Sequence, residues 1–243
     1  MRVLVVTAVA AERDAVASGV TGGAPSGSSP SAVALPGGLT LHRGDAGTSG
    51  RLVVDVLAAG VGPAAAAAGT ATALTAAACG GAPYGLAVSA GIAGGFAQPP
   101  GGAVTATSIV AADLGAVTPR GFASVTELGF GAAAHTPPEQ LVRAVAGATG
   151  AAAGPVLTVS TVTGTAERAG ELAARHPGAV AEAMEGFGVA EAAAAHGVAV
   201  LELRTVSNPV GARDRDAWRI PAALSALRDS FAAAGPVLRA WGP

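Results

Sequence analysis

With 243 residues and a formal net charge of −2, the chain has the length of one α/β domain or of two small ones. An apolar fraction of 51% against only 12% charged residues excludes a disordered tail, and a pI near 6.1 with no Lys/Arg cluster argues against a nucleic-acid partner. One cysteine, Cys79, excludes an internal disulfide framework and a Cys-based zinc site; with no leader pattern, a reducing cytoplasm is expected.

The elements follow in chain order. Arg2 to Thr7 (RVLVVT) reads as a short, fully buried parallel strand, and Ala10 to Ser18 as a helix with Glu12, Arg13 and Asp14 near its start. Gly19 to Ser31 is a low-complexity loop. Leu39 to Arg43 and Arg51 to Ala58 read as strands about a turn at His42 to Gly50. No charge occurs between Asp55 and Asp113, and mean hydropathy is +0.51, so that run is a candidate membrane span. Gly60, Gly62, Pro63, Gly69, Gly80, Gly81 and Pro83 break it, and it is rich in Ala and Thr instead of Leu. It reads as a buried helix opened by Pro63 and running to Cys79, then a buried strand at Tyr84 to Ser89, so no membrane partner is expected. That strand is followed by a glycine-rich turn, SAGIAGGF, residues 89 to 96.

Beyond it, Ala103 to Ala112 and Val156 to Thr161 read as strands, with a helix between them at Pro137 to Ala146. A turn at Thr163-Gly164 leads into a helix from Thr165 to Arg175. Ala183 to His196 reads as a helix, Val198 to Val206 as a strand, and Pro221 to Trp241 as a terminal helix. Alternating strands and helices predict a single α/β domain, a mixed or parallel sheet covered on both faces. Ligands of such sheets sit beyond the carboxyl ends of strands. Four segments qualify: Thr7 to Glu12, Ser89 to Phe96, Thr161 to Thr165, and Ser207 to Gly211.

Chemistry can be assigned to few residues in those segments. Glu12 is placed as a general base, or as an ordinary first-turn acid of its helix. Ser89-Ala90-Gly91 can bring backbone close to a ligand, although such turns are common. SAGIAGGF lacks the G-x-G-x-x-G spacing, and without lysine there is no phosphate-loop motif, so no nicotinamide, flavin or nucleotide cofactor is expected. In Ala181 to Gly188 (AEAMEGFG), Glu182 and Glu185 lie three apart at an expected helix start. They serve the helix dipole or, buried among Ala, Gly, Met and Phe, need a partner such as a ribose diol. Asn208, the only asparagine, is either a turn residue before Pro209 or a functional amide. The four histidines do not cluster, and none is assigned to metal or base.

Five of these pieces occur together: VTAVAAERDAV, SAGIAGGF, TVTGT, RHPGAVAEAMEGFGVA and RTVSN. Their order and spacing resemble the nucleosidases and phosphorylases of the purine nucleoside phosphorylase type, over essentially the whole chain. AEAMEGFG and SNPVGARDRDAW are more similar to a branch that hydrolyses a 6-oxopurine nucleoside than to the adenosine-type nucleosidases. The resemblance implies a three-layer α/β/α fold with a mixed, partly barrel-like sheet, a nucleoside substrate, no metal or organic cofactor, and a homo-oligomer. It implies that Glu12 activates water, that Ser89, Ala90 and Gly91 lie near sugar and water, and that Met184 and Glu185 bind ribose. Val162, Thr163 and Gly164 would border the base, Ser207 would join the substrate-binding residues, and Asn208 would stand where adenine-cleaving members carry an Asp. An Asn amide can donate to N7 and O6 of a 6-oxopurine, whereas a carboxylate would repel O6. No arginine precedes Ser89 to clamp phosphate, which favours water as nucleophile; Arg43 could reach a site across a subunit boundary. Arg213 and Arg215 are candidates for a carboxylate on the sugar substituent, or solvated partners of Asp214 and Asp216.

Overall fold

The computed structural model describes residues 1–21, 31–45 and 52–242. In chain order the elements are β1 (Arg2–Thr7), α1 (Ala10–Val20), β2 (Ser31–Ala34), β3 (Thr40–Asp45), β4 (Val53–Ala58), α2 (Pro63–Cys79), β5 (Leu86–Gly95) and β6 (Ala103–Ala111). They continue with β7 (Gly115–Thr118), β8 (Gly121–Ser124), β9 (Ala134–His135), α3 (Glu139–Thr149), β10 (Ala152–Thr158), α4 (Ala166–Arg175), β11 (Ala181–Ala183), α5 (Gly186–Ala195), β12 (Ala199–Pro209) and α6 (Ile220–Ala240).

The main sheet runs β11-β10-β6-β12-β5-β1-β4-β3-β2. Because β11 also pairs antiparallel with β5, the strands β5, β12, β6, β10 and β11 close into a five-stranded barrel, and β1, β4, β3 and β2 extend from it as an open wing. The sheet is mixed: β1 is parallel to β4 and β5, and β12 is parallel to β5 but antiparallel to β6. Helices cover both faces. On one, α2 and α5 bury Ala66, Ala73, Leu74, Phe187, Val189 and Ala193. On the other, α1, α3 and α6 bury Val16, Leu141, Val145, Leu227, Phe231 and Leu238. The three-layer, partly barrel-like architecture is therefore present. No helix among the described residues is long and apolar enough to cross a membrane.

β1 and α2 have the expected limits. In α2, Ala66, Gly69, Thr70, Ala73 and Leu74 form the buried face, with helical spacing even though the sequence is alanine-rich throughout. Pro63 starts the helix where its missing N–H costs nothing. A Cβ on Gly188 would overlap the Pro63 carbonyl, so this glycine lets α5 lie against the start of α2.

Several expectations are corrected. The glycine-rich segment after Ser89 is not a turn. It continues β5 to Gly95, hydrogen-bonded between β12 and β11, and that double ladder outweighs the weak strand propensity of glycine. Residues 181–183 form β11 instead of opening a helix, and α5 starts only at Gly186. Glu182 and Glu185 are therefore a strand residue and a helix N-cap, not an acid pair on one helical turn. Asn208 lies within β12 and not in a turn. The expected strand at Val156 to Thr161 is shifted to Ala152–Thr158, and α3 begins after Pro138. His42 belongs to β3, and the rest of the expected turn, 46–50, lies outside the described residues, as do residues 22–30 of the expected loop.

Candidate active site

All four strand-end segments meet at one cavity of about 330 Å³. The start of α1 supplies Ala8, Val9 and Glu12, and β5 supplies Ile92, Ala93 and Gly94. The segment after β10 gives Val162 and Thr163, the β11–α5 junction gives Glu182 to Glu185, and the end of β12 gives Ser207 and Asn208, with Val210 beyond it. Trp218 closes one side.

Glu12 is at the third position of α1 and is buried. Its Oε2 accepts the backbone N–H groups of Ala8 (3.0 Å) and Val9 (3.2 Å), and its Oε1 accepts that of Ile92 (2.9 Å). The carboxylate is thus locked between the first turn of α1 and β5. Gly91 makes this possible, because a Cβ there would lie 2.5 Å from Glu12 Oε1 and 2.8 Å from Arg204 Nη1. Glu185 is also buried; its Oε1 accepts the Gly62 N–H at 3.1 Å, and its Oε2 pairs with Arg204 Nη1 at 3.1 Å.

Arg204 is the hub beneath the cavity floor. It is fully buried on β12, and its other donors reach Glu202 Oε1 (Nε, 2.9 Å) and Ser89 Oγ (Nη2, 2.8 Å). Burial alone would favour loss of its proton. Glu202, Glu185 and Glu12 around it more than offset that, and its pKa is raised. Glu202 is pushed above the usual carboxylate range by burial, opposed by Arg204 and reinforced by the like charge of Glu185. Its Oε2 has no hydrogen-bond partner among the described residues.

At the opposite wall, Asn208 Nδ2 donates to the Pro209 carbonyl (2.9 Å), and Oδ1 accepts from Ser207 Oγ (2.7 Å). This orientation leaves the second amide hydrogen available. Glu182 accepts the backbone N–H of Thr163 at Oε1 (2.9 Å) and the Thr163 hydroxyl at Oε2 (2.5 Å).

Of the residues expected at a site, Glu12, Val162, Thr163, Met184, Glu185, Ser207 and Asn208 line the cavity. Ser89, Ala90, Gly91 and Gly164 do not. Ser89 and Ala90 are buried behind the wall, Ser89 holding Arg204, and the Gly164 carbonyl accepts the Arg213 N–H at 3.2 Å. Arg43 lies elsewhere, its Nε 3.0 Å from Asp55 Oδ1 beside a second cavity with Arg2 and Tyr84. None of the histidines lines the cavity, and the described residues contain no cluster of His, Cys, Asp and Glu that could hold a metal ion.

No family model matches the chain. It is 61% identical to the futalosine hydrolase of Streptomyces coelicolor over 245 aligned residues, 100% of this chain and 99% of that protein. The chain belongs to the futalosine hydrolase family. It is also 45% identical to the futalosine hydrolase of Acidothermus cellulolyticus, covering 96% of this chain and 89% of the relative. Among solved structures, a 5′-methylthioadenosine/S-adenosylhomocysteine nucleosidase from Neisseria meningitidis shares the fold with a TM-score of 0.78 at 18% identity, covering 99% of each chain. A futalosine hydrolase from Helicobacter pylori does so with a TM-score of 0.75 at 18% identity, covering 96% and 94%.

Arg204, Glu202 and Trp218 of this family member are not among the expected site residues. The signal for the first two is in the strand VLELRTV: opposite charges two residues apart share one face, and a buried strand tolerates them only as a pair. Trp218 carries no such signal, because its place at the cavity depends on how the segment after β12 returns. None of Phe96, Phe122, Phe130 and Phe187 lines the cavity.

Proposed function

We propose that the chain hydrolyses the N-ribosidic bond of futalosine, releasing hypoxanthine and dehypoxanthine futalosine, a step of menaquinone biosynthesis. The observation that carries this reading is the convergence of Glu12, Glu185 and Asn208 on one cavity whose lining, among the described residues, contains no arginine. Glu12 orients a water molecule and accepts its proton as the bond to N9 lengthens and the ribosyl group gains oxocarbenium character. Met184 packs against the sugar, and Glu185, held in place by Arg204 and the Gly62 N–H, accepts the 2′ and 3′ hydroxyls. Asn208 donates its free amide hydrogen to the purine and stabilises the negative charge that grows there.

Water is the nucleophile in this scheme. Among the described residues the ionisable side chains lining the cavity are Glu12, Glu182 and Glu185, which disfavour a phosphate dianion, and Arg43 is engaged by Asp55. Self-association belongs to the same proposal. Val117 (90% exposed) and Phe130 (82%) leave apolar surface around the β7–β8 hairpin, and light scattering of the purified protein reads the mass directly.

The test is incubation with futalosine, inosine and methylthioadenosine in phosphate-free buffer, with identification of base and sugar. Hypoxanthine and free sugar from futalosine support the proposal. A strict requirement for phosphate, or adenine released at the rate of hypoxanthine, overturns it.

A further inference from the structure

The geometry points to Glu182 as a second specificity-determining residue: its carboxylate accepts the ring N–H of a 6-oxopurine, opposite the Asn208 amide. This rests on the nucleoside hydrolase reading above and extends it to the purine's other polar edge.

Strand register brings the two side chains to one face. Gly94 of β5 pairs with Asn208 of β12 on one side and with Glu182 of β11 on the other. Directly paired residues project to the same face, so amide and carboxylate flank a position that has no side chain. Their backbones are two strand spacings apart, about 10 Å, room for the edge of a ring hydrogen-bonded on both sides. A Cβ at Gly94 would meet Val210 at 2.9 Å and stand 3.6 Å from Asn208 Nδ2, intruding into that gap. All three residues line the cavity.

The hydrogen-bond inventory then fixes polarity. Thr163 gives both its backbone N–H and its hydroxyl hydrogen to Glu182, so each carboxylate oxygen keeps a further lone pair and the threonine oxygen can only accept from a ligand. This wall therefore presents acceptors, while Asn208 presents a donor. A 6-oxopurine offers the matching pattern, an N1–H donor beside an O6 acceptor. A 6-aminopurine offers the reverse, with its N1 lone pair facing the carboxylate and its amino hydrogens facing the amide. Buried groups left unpaired in this way discriminate by about 10²-fold or more.

The test uses free bases, so it is read apart from turnover. Calorimetric titration of the wild-type chain with hypoxanthine, adenine and 1-methylhypoxanthine should show hypoxanthine bound about 100-fold more tightly than either of the others. Glu182→Gln, which offers an amide hydrogen, should bring the hypoxanthine-to-adenine ratio below about tenfold, chiefly by weakening hypoxanthine. If Glu182→Gln fails to fold, the wild-type comparison with 1-methylhypoxanthine still decides, because that base lacks the N1 hydrogen. Equal affinity for hypoxanthine and 1-methylhypoxanthine, or an unchanged ratio in Glu182→Gln, overturns the assignment even if futalosine is hydrolysed. The expected base selectivity without turnover would support the assignment and overturn the activity.

Discussion

Replacing Arg204 with Met tests how the cavity floor is built. The guanidinium is fully buried and bonds Glu185, Glu202 and Ser89 at once. Met fills similar volume but leaves Glu185 and Glu202 facing each other without a counter-charge, and leaves Glu12 without the nearby cation. Breaking a buried ion pair from one side costs about 3–5 kcal/mol. For a chain of this size that lowers Tm by about 6–20 °C. Glu185 also loses the bond that aims it, and a displacement of about 1 Å at a positioning group can cost about 100-fold in kcat/KM. The assay is thermal unfolding followed by steady-state hydrolysis of futalosine below the variant's Tm. Adding Glu202→Leu to Arg204→Met removes one stranded carboxylate and should recover about 1–3 kcal/mol, while the kcat/KM defect persists. An Arg204→Met chain within about 2 °C of wild type, with unchanged kcat/KM, would refute the account of the floor.

Other expectations follow from the same contacts. Glu12→Gln should lower kcat by about 10²–10⁴ with base affinity unchanged. Its amide must also face one of the three backbone N–H groups that the carboxylate accepts, costing about 1–3 kcal/mol in denaturant unfolding. Asn208→Asp places an acceptor against the Pro209 carbonyl and against O6. Futalosine turnover should fall by about 10²-fold while adenine release from methylthioadenosine rises, read by chromatography of the bases. Glu202 gives a pH signature. Its folded pKa lies above the ordinary 4.5, so its contribution is fully present below 4.5 and is lost as pH rises through the folded value. Over that window the wild type should lose stability relative to Glu202→Gln by up to about 1.4 kcal/mol per pH unit, measured by urea unfolding at successive pH values. Parallel curves throughout would contradict it.

Local signals account for what could be read in advance. Pro63 and Gly80 bracket α2, and unbroken apolar character marks β1, because in both cases short-range chemistry and tertiary packing agree. The segment SAGIAGGF misled because its glycines advertise a turn, whereas partners on both sides, β12 and β11, hold it as a strand. β11 is three residues long and is defined by its ladder to β10 and β5, which no local pattern announces. Glu12 and Asn208 could be placed because strand ends are where such sheets bind ligands. The sequence places Ser89 at the end of an apolar run but does not give the direction of its hydroxyl, which meets Arg204, 115 residues away along the chain. Trp218 and the alignment of Glu182 with Asn208 across Gly94 likewise depend on barrel closure, which a linear pattern does not contain.

In the proposed mechanism an amide at position 208 reads the purine while the acid at position 12 faces the scissile bond. A crystal structure with hypoxanthine and a ribose analogue measures it. The account predicts Asn208 Nδ2 about 3 Å from N7 or O6, and Glu12 within one water molecule of the anomeric carbon. A purine bound away from Asn208, or a Glu12 carboxylate shielded from the sugar, would contradict it.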